Sequence, residues 1–312
     1  AWSPDNSKLI SGSDDYKVSV WDITSLDDYR RPFYHGRKIV QEQFLQESWG
    51  INAKFPYKAV AWAPNNSYVV AASAGKQTTT VAISGGFREK EMLVRVSVDS
   101  NIANFPTIEA STDVHTDSIN SIAISPNSFY IFTASSDTTV KRMDYDFIQV
   151  ETSPTSGNIH TQSVNTIDCA YCDPFPHDYP IVTGSDDHNV IVWNFDLSSS
   201  MIGNGGHSEK VNVVRWNSLG DRFVSGSDDN HIKIWTVTNN SVTCTDTIDV
   251  SLNVNGTRVF PQAPVTALDW SGVQNLIIVG SSNPAQLWVY GSPITTTPDP
   301  YDYNTDPAAQ PN

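Results

Sequence analysis

Cysteines, basic residues and long apolar runs are all scarce in this chain of 312 residues. Three cysteines are too few for the dense disulfide framework of a small secreted domain. Only 19 Lys and Arg residues oppose 34 Asp and Glu residues, which gives a net charge of −15. Because phosphate binding needs a clustered cationic surface, this charge argues against nucleic acid as a partner. No apolar run is long enough to predict a membrane span.

The motifs of common enzymes are also missing. We find no phosphate-binding loop, no Gly-x-Ser-x-Gly elbow and no His-Glu-x-x-His helix. Cys169-Ala-Tyr-Cys172, with His177 close behind, has the spacing of half a zinc site, but the sequence contains no second Cys pair. We therefore predict structural thiols, no cofactor, no metal and no enzymatic activity.

The sequence does contain a repeated motif. Ser-Gly-Ser-Asp-Asp occupies residues 11–15 and 225–229, and Gly-Ser-Asp-Asp occupies 184–187. In all three copies a Trp follows six residues after the second Asp. Strand-forming residues dominate the chain and no sustained helical period appears. The chain is therefore predicted to be an all-β repeat protein.

A His precedes three of the repeats. His160 lies 27 residues before the second Asp of its motif, and His207 lies 22 residues before the second Asp of its own. His115 begins a further copy, in which Met143 stands where the other copies have Trp. A Val or Ile follows each His at the fourth residue, so the spacing recurs beyond the repeated motif itself.

These residues resemble the WD-repeat β-propeller family, whose unit reads His, strand a, turn, strand b, Asp and a strand c that ends in Trp-Asp. Trp21-Asp22 matches that ending literally. The resemblance implies a hydrogen-bonded structural chain of His, Ser or Thr, Asp and Trp inside each blade. By spacing, its members are Ser11, Asp15 and Trp21; His115, Thr133 and Asp137; His160, Thr183, Asp187 and Trp193; and His207, Ser225, Asp229 and Trp235. Closed polar chains would satisfy buried groups that are costly when unpaired.

Two further repeats are degenerate. Residues 58–83 keep the strand-turn-strand rhythm, with Gly75 at the Asp position and Val81 at the Trp position. Residues 265–290 do likewise, with Asn283 at the Asp position and Trp288 one position early. We expect apolar packing to hold these two blades together.

Six repeats are visible in a propeller domain predicted for residues 1–290, with insertions at about 23–56 and 84–114. The first repeat opens inside strand a, so we expect seven blades in the full molecule, with six closed blades as the alternative. Residues 291–312 are rich in Pro and Thr and predict a tail or linker.

The resemblance implies that the residue before each turn Asp points toward the top face of the propeller. These residues are Asp14, Ser136, Asp186 and Asp228. Three carboxylates on one rim would attract a basic peptide or a cation, although Asp-Asp is also simply a good turn sequence. Trp49, in the first insertion, is either a partner contact or part of an outer hairpin that packs its own aromatics.

Localisation stays open at this point. Asn65, Asn239 and Asn255 lie in Asn-x-Ser/Thr sequences that permit N-glycosylation. The low Lys content suits a secreted protein, whereas most proteins of the resembling family are intracellular.

The resemblance favours a non-enzymatic scaffold that binds a protein or peptide partner on the top face of the propeller. The alternative is a self-assembling structural subunit of an extracellular or filamentous assembly. A propeller hydrolase with a central metal would need inward-facing His and Asp residues beyond the repeated chains, and the sequence offers no such set.

Overall fold

The structure is a computed structural model. It describes residues 1–14, 18–22, 37–42, 56–73, 81–83, 86–88, 92–97, 108–112, 114–147, 150–171, 180–239, 241–251, 263–271, 276–282 and 285–290. Within these ranges the secondary structure is β-strand and turn, without a helix. The predicted tail at 291–312 lies outside them.

The strands form six antiparallel sheets, which we call blades, and one separate hairpin. Blade 1 contains β1 (Lys8–Gly12), β2 (Val18–Asp22) and β3 (Arg37–Glu42). Blade 2 contains β4 (Tyr57–Trp62), β5 (Tyr68–Ser73), β8 (Met92–Ser97) and β9 (Ile108–Thr112). The hairpin is β6 (Val81–Ile83) with β7 (Gly86–Arg88).

The remaining blades follow in chain order. Blade 3 contains β10 (Ile119–Ile124), β11 (Tyr130–Ser135), β12 (Val140–Asp144) and β13 (Val150–Thr152). Blade 4 contains β14 (Val164–Cys169), β15 (Ile181–Ser185), β16 (Val190–Trp193) and β17 (Ser200–Ile202). Blade 5 contains β18 (Val211–Trp216), β19 (Arg222–Ser227), β20 (His231–Thr238) and β21 (Ser241–Asp249). Blade 6 contains β22 (Val265–Trp270), β23 (Ile277–Ser282) and β24 (Ala285–Tyr290).

Successive blades lie side by side through their first strands. β4 lies against β10, β10 against β14, β14 against β18, and β18 against β22. In each of these five strands the register shifts by one residue near the start. Each copy of the repeated motif therefore lies in one sheet of a repeating series. The predicted all-β propeller blades are confirmed.

The core lies between blades rather than within them. One face of blade 4, with Val182, Val190 and Val192, packs against Phe223 and Trp235 of blade 5. Each of these side chains is at most 2% exposed. Burying such a side chain stabilises the fold by roughly 1.5–3 kcal/mol, so the junctions between blades carry most of the apolar stabilisation.

Two arginines on strand c join neighbouring blades near the c–d turns. Arg95 of blade 2 lies 4.9 Å from the ring centre of Tyr145 in blade 3. Arg142 of blade 3 lies between the rings of Tyr130 and Phe195, at 4.9 and 4.8 Å. Because Arg95 and Arg142 pair with equivalent strand-b residues, the same cation–π contact recurs at successive junctions.

Blade 2 differs from the sequence expectation. Val81 was placed at the Trp position, but the third strand is β8, and Val96 pairs with Val69 at that register. The β6–β7 hairpin is thus an excursion between strands b and c of this blade. Met92–Ser97, which lies inside the second expected insertion, is the third strand of the blade. Without an Asp or a Trp, nothing in the sequence marks where the b–c turn ends.

Blades 1 and 6 also differ in detail. Residues 37–42, inside the first expected insertion, form β3 and complete a three-stranded sheet. In blade 6 the register that holds Trp193 and Trp235 elsewhere holds Tyr290, which pairs with Ile277. Trp288 pairs instead with Val279. Asn283 and Gly75 lie outside the described residues.

Candidate functional site

A chain of four hydrogen-bonded side chains crosses blade 5. His207 Nδ1 lies 2.9 Å from Asp229 Oδ2, and His207 Nε2 lies 2.7 Å from Ser225 Oγ. Trp235 Nε1 donates to the same Ser225 Oγ at 2.8 Å. Because a carboxylate only accepts, we assign the ring proton to Nδ1. The Ser225 hydroxyl then donates to Nε2 and accepts from the indole.

Blade 4 repeats this arrangement. His160 Nδ1 lies 3.0 Å from Asp187 Oδ2, and Nε2 lies 2.7 Å from Thr183 Oγ1. Trp193 Nε1 donates to Thr183 Oγ1 at 2.9 Å. Every polar atom of the chain thus has a partner, as a buried network requires.

Blade 3 keeps three of the four members. His115 Nδ1 lies 2.9 Å from Asp137 Oδ2, and Nε2 lies 2.7 Å from Thr133 Oγ1. Met143 takes the place of the Trp and is 1% exposed. The chain therefore ends at the threonine, and an apolar side chain fills the remaining space.

In blade 1 the structure describes less of the predicted set. Ser11 is half-buried on β1, and the backbone of Trp21 lies in β2. Asp15 lies outside the described residues, so the polar chain of this blade stays a prediction.

The pKa values follow from burial and hydrogen bonding. Burial lowers the pKa of His115 and His207 below 6.5, outweighing the attraction of Asp137 and Asp229. Burial would raise the pKa of Asp187, but hydrogen bonds from His160 and two backbone amides lower it to about 2. The same balance lowers the pKa of Asp137 and Asp229. The chains of blades 3 and 5 thus hold neutral imidazoles beside carboxylates.

The Asp–His–Ser hydrogen bonds resemble those of a hydrolytic triad, but a substrate could not reach these side chains. The side chains of His115, His160 and His207 are 0% exposed. Ser225 and Thr183 are equally buried, and each is engaged by an indole. A nucleophile needs a free approach to its oxygen, so these chains support a structural role.

Sequence reasoning missed a second repeated set, the asparagines that follow each His by five residues. Asn165 Nδ2 donates to Asp186 Oδ1 at 2.7 Å and to Val211 O of the next blade at 3.0 Å. Asn212 Nδ2 donates to Asp228 Oδ1 at 2.6 Å and to Val265 O at 2.9 Å.

Asn120 makes the corresponding contacts in blade 3. Its Nδ2 donates to Ser136 Oγ at 2.9 Å and to Val164 O at 2.9 Å. Each asparagine thus ties a rim residue to the inner strand of the next blade. The signal was present in the sequence as a constant spacing from His.

The predicted partner-binding residues lie at the end of each blade that carries the Asp turn. Ser136, Asp186 and Asp228 are held by the asparagines, and Asp14 is exposed in the turn of blade 1. Lys210 Nζ lies 3.4 Å from Asp228 Oδ2. Among the described residues, Asp186 has no ion-pair partner. Trp49 lies outside the described part of the chain.

The other predicted positions are surface sites or undescribed. Asn65 and Asn239 are exposed, whereas Asn255 lies outside the described residues. Cys169 and Cys244 are half-buried. Cys172 and His177 lie outside the described ranges, within which no cluster of His, Cys, Asp and Glu could hold a metal ion. None of the described segments is a helix long and apolar enough to cross a membrane.

Comparison with known proteins agrees with this architecture. The family described as "WD domain, G-beta repeat" matches residues 1–22, 107–142, 154–194 and 200–236. The crystal structure of RRP9 WD40 repeats superposes with a TM-score of 0.68 at 17% identity, covering 93% of this chain and 75% of that one. The protein is thus a β-propeller protein by fold.

Curated relatives carry the same repeats. The WD repeat-containing protein WDS homolog of Arabidopsis thaliana is 23% identical over 258 residues, which cover 75% of this chain and 46% of that protein. Apoptotic protease-activating factor 1 of Mus musculus is 31% identical over 114 residues, 35% of this chain and 9% of that protein. The chain therefore spans less than half of these relatives.

Four segments of the chain are thus WD repeats, as the sequence resemblance indicated, and its blades are similar to those of a WD40-repeat structure. WD-repeat domains generally mediate protein–protein interactions and typically act as non-enzymatic scaffolds.

Proposed function

We propose that this chain is a non-enzymatic scaffold that binds a basic peptide segment of a partner protein along the rim of blades 4 and 5. The observation that supports this most directly is the pair Asp186 and Asp228. These carboxylates lie at equivalent positions of adjacent blades, and each is fixed by an asparagine.

Their charge is only partly neutralised. Lys210 approaches Asp228 at 3.4 Å, but both side chains are partly exposed, at 47% and 33%. Solvent weakens such a pair, so Lys210 can be displaced by a cation of the partner. A net charge of −15 adds a long-range field that draws basic ligands toward the protein.

Pre-organisation is the second argument. Asn165 and Asn212 each hold a rim carboxylate and a backbone carbonyl of the next blade at once. A carboxylate with a fixed position loses little conformational entropy when a ligand binds. The rim is therefore suited to recognising a guanidinium or ammonium group at a defined place.

The test uses fluorescein-labelled twelve-residue peptides with net charges of +4, 0 and −4. We expect the +4 peptide to bind, and its affinity to fall with added salt. The double variant Asp186→Asn and Asp228→Asn should weaken binding at least fivefold, as followed by fluorescence anisotropy.

The matched control is Asp221→Asn with Asp246→Asn, which removes the same charge from exposed positions of the a–b turn and outer strand of blade 5. It should leave the affinity within about twofold. Equal weakening by both pairs would mean that only the net charge attracts the peptide, and the rim proposal would fail. Equal binding of all three peptides would exclude a basic partner.

A further inference from the structure

The register shift near the start of each inner strand, the first strand of a blade, marks one repeated position. In blades 3, 4 and 5 this position holds Asn120, Asn165 and Asn212, the asparagines that tie the rim to the next blade. In blade 2 it holds Lys58. A cation therefore stands in blade 2 where the three following blades have an amide.

Lys58 lies beside the asparagine of the next blade. Asn120 Nδ2 donates to Val164 O of blade 4 at 2.9 Å, so its Oδ1 faces the other way, toward blade 2. Lys58 Nζ lies 3.5 Å from that Oδ1. The Lys58 side chain is exposed, and among the described residues no carboxylate lies within 4 Å of its amine. Because an ammonium group has three donors, Lys58 keeps N–H groups for a ligand.

The rim residue next to Lys58 is neutral. Blade 3 has Ser136 at the position where blades 4 and 5 have carboxylates. Ser136 Oγ lies 3.2 Å from Ser163 Oγ, and Asn120 Nδ2 donates to these two oxygens at 2.9 and 3.2 Å. Hydroxyl hydrogens rotate to suit a nearby acceptor. This part of the rim therefore offers an anion one ammonium and two hydroxyl groups.

The charge changes sign on the following blade. Blades 2, 3 and 4 lie side by side in chain order, so the neutral blade 3 separates Lys58 from Asp186. Asp14 of blade 1 lies on the other side of Lys58. From blade 2 to blade 5, the rim thus presents an ammonium, a pair of hydroxyls, a carboxylate and the partly neutralised pair of Asp228 with Lys210.

We propose that Lys58, with the hydroxyls of Ser136 and Ser163, binds an acidic side chain of the same partner segment whose basic residues bind the rim of blades 4 and 5. The inference rests on the proposed peptide-binding rim and adds the class of sequence that this rim selects. The selected segment has mixed charge, with a Glu or Asp to one side of its basic residues. A purely basic segment would bring a cation against Lys58, and like charges repel.

The test uses pairs of fluorescein-labelled twelve-residue peptides. Each peptide contains four adjacent Lys residues and, two, four or six positions away on either side, a Glu that its pair partner replaces with Gln. Because the protein has a net charge of −15, the overall field favours the more positive Gln peptide. We expect the opposite for one of the two orders, in which the Glu peptide should bind at least about threefold more tightly by fluorescence anisotropy.

The variant Lys58→Gln should remove this preference, so that the Gln peptide binds at least as tightly as the Glu peptide. The matched control is Lys8→Gln, which removes the same charge from a half-buried position on β1, beside the a–b turn at the opposite end of blade 1. It should keep the threefold preference for Glu.

Two results would overturn the inference and leave the rim carboxylates in their role. One is tighter binding of the Gln peptide at every spacing and in both orders, and the other is a Glu preference that survives Lys58→Gln. The rim itself is judged by Asp186→Asn with Asp228→Asn, which should weaken the Glu and Gln peptides alike. A lack of binding by every peptide would overturn both proposals.

Discussion

At the scale of single residues, each turn aspartate accepts several hydrogen bonds. Asp229 accepts from His207 Nδ1 at 2.9 Å, from Ser208 N at 3.0 Å and from His231 N at 3.0 Å. Asp137 and Asp187 have the equivalent partners in their blades. One carboxylate thus joins the start of a blade to its b–c turn.

Asp229→Ala should lower the free energy of unfolding by about 1–3 kcal/mol, because it leaves a buried imidazole and two amides without their acceptor. Urea denaturation measures this change. Asp246→Ala, at an exposed position of β21, should change it by no more than about 0.5 kcal/mol. Equal stability of both variants would mean that the chain in blade 5 contributes nothing.

The folded protein should also lose stability in acid, because two kinds of buried group, histidines and turn aspartates, have lowered pKa values in the fold. His115 and His207 have folded pKa values below 6.5, because burial disfavours the charged ring. Protonation therefore favours the unfolded chain as the pH drops below about 6.5. Asp187, with a folded pKa of about 2, adds stability that is lost as the pH falls from about 4 toward 2.

We expect the urea midpoint to decrease from pH 7 to pH 5 and again below pH 4. In His207→Gln the decrease between pH 7 and pH 5 should be smaller, since one titrating group is gone. A midpoint that stays constant from pH 7 to pH 5 in the parent protein would contradict neutral histidines in the fold.

The polar chains could be predicted because their members recur at fixed spacing in the sequence. The asparagines recur just as regularly, but their role depends on a carbonyl in the next blade. Val211, for example, follows Asn165 by 46 residues. Spacing reveals that such a residue matters, and only the packing of two blades reveals what it binds.

At the scale of elements, the a–b turns show how one geometry accepts different residues. In blade 2 the turn places Asn66 at a φ of 63°, and its Oδ1 accepts from Trp62 Nε1 at 2.7 Å. In blade 5 the equivalent residue is Gly220, with a φ of 70°. Trp216 Nε1 is buried there without a hydrogen-bond partner among the described residues.

Gly220→Asn should therefore stabilise the protein by about 0.5–1.5 kcal/mol. Asparagine tolerates the left-handed conformation, restricts the unfolded chain and brings an acceptor to the indole. Thermal unfolding measures the gain. Gly220→Ala is the matched control and should destabilise, because it adds strain without an acceptor. A Gly220→Asn variant that melts at or below the parent would contradict this reading of the turn.

Strands were easier to predict than their order. Apolar, strand-forming residues occur in both Val81–Ile83 and Met92–Ser97, yet only the latter pairs with β5. In blades 4 and 5 the Asp turn fixes the start of strand c, and the Trp fixes its register. Blade 2 lacks both, so the pattern could not distinguish the third strand from the excursion before it.

At the scale of the whole molecule, stability is distributed unevenly. Trp193, at the junction of blades 3 and 4, and Trp235, at the junction of blades 4 and 5, are no more than 1% exposed, whereas blade 6 exposes Ile278, Leu287 and Val289. Repeat proteins gain stability mainly from contacts between neighbours. A blade with one uncovered face opens at a lower free energy than a blade covered on both faces.

In the 312-residue chain, amides of residues 265–290 should exchange at least tenfold faster than those of residues 164–227. Hydrogen exchange with mass spectrometry resolves the two regions. Equal protection of both would show that blade 6 is covered on both faces in solution. The sequence could count repeats, but the exposure of this face depends on contacts between distant blades, which no local pattern records.

One register of strand b holds a small residue in every blade, as Gly12, Ala72, Ala134, Gly184, Gly226 and Gly280. A Cβ at Gly184 would lie 2.5 Å from Val211 of the next inner strand, and one at Gly226 would lie 2.3 Å from Val265. This pattern has an evolutionary consequence. Because Gly or Ala at this one register receives the first residue of whichever inner strand follows, each junction follows the same rule as the next. A duplicated or deleted blade therefore meets neighbours that already fit it, and the number of blades can change in whole units. The same interchangeability lets a blade without the predicted polar chain, such as blade 2, stay packed between the blades on either side.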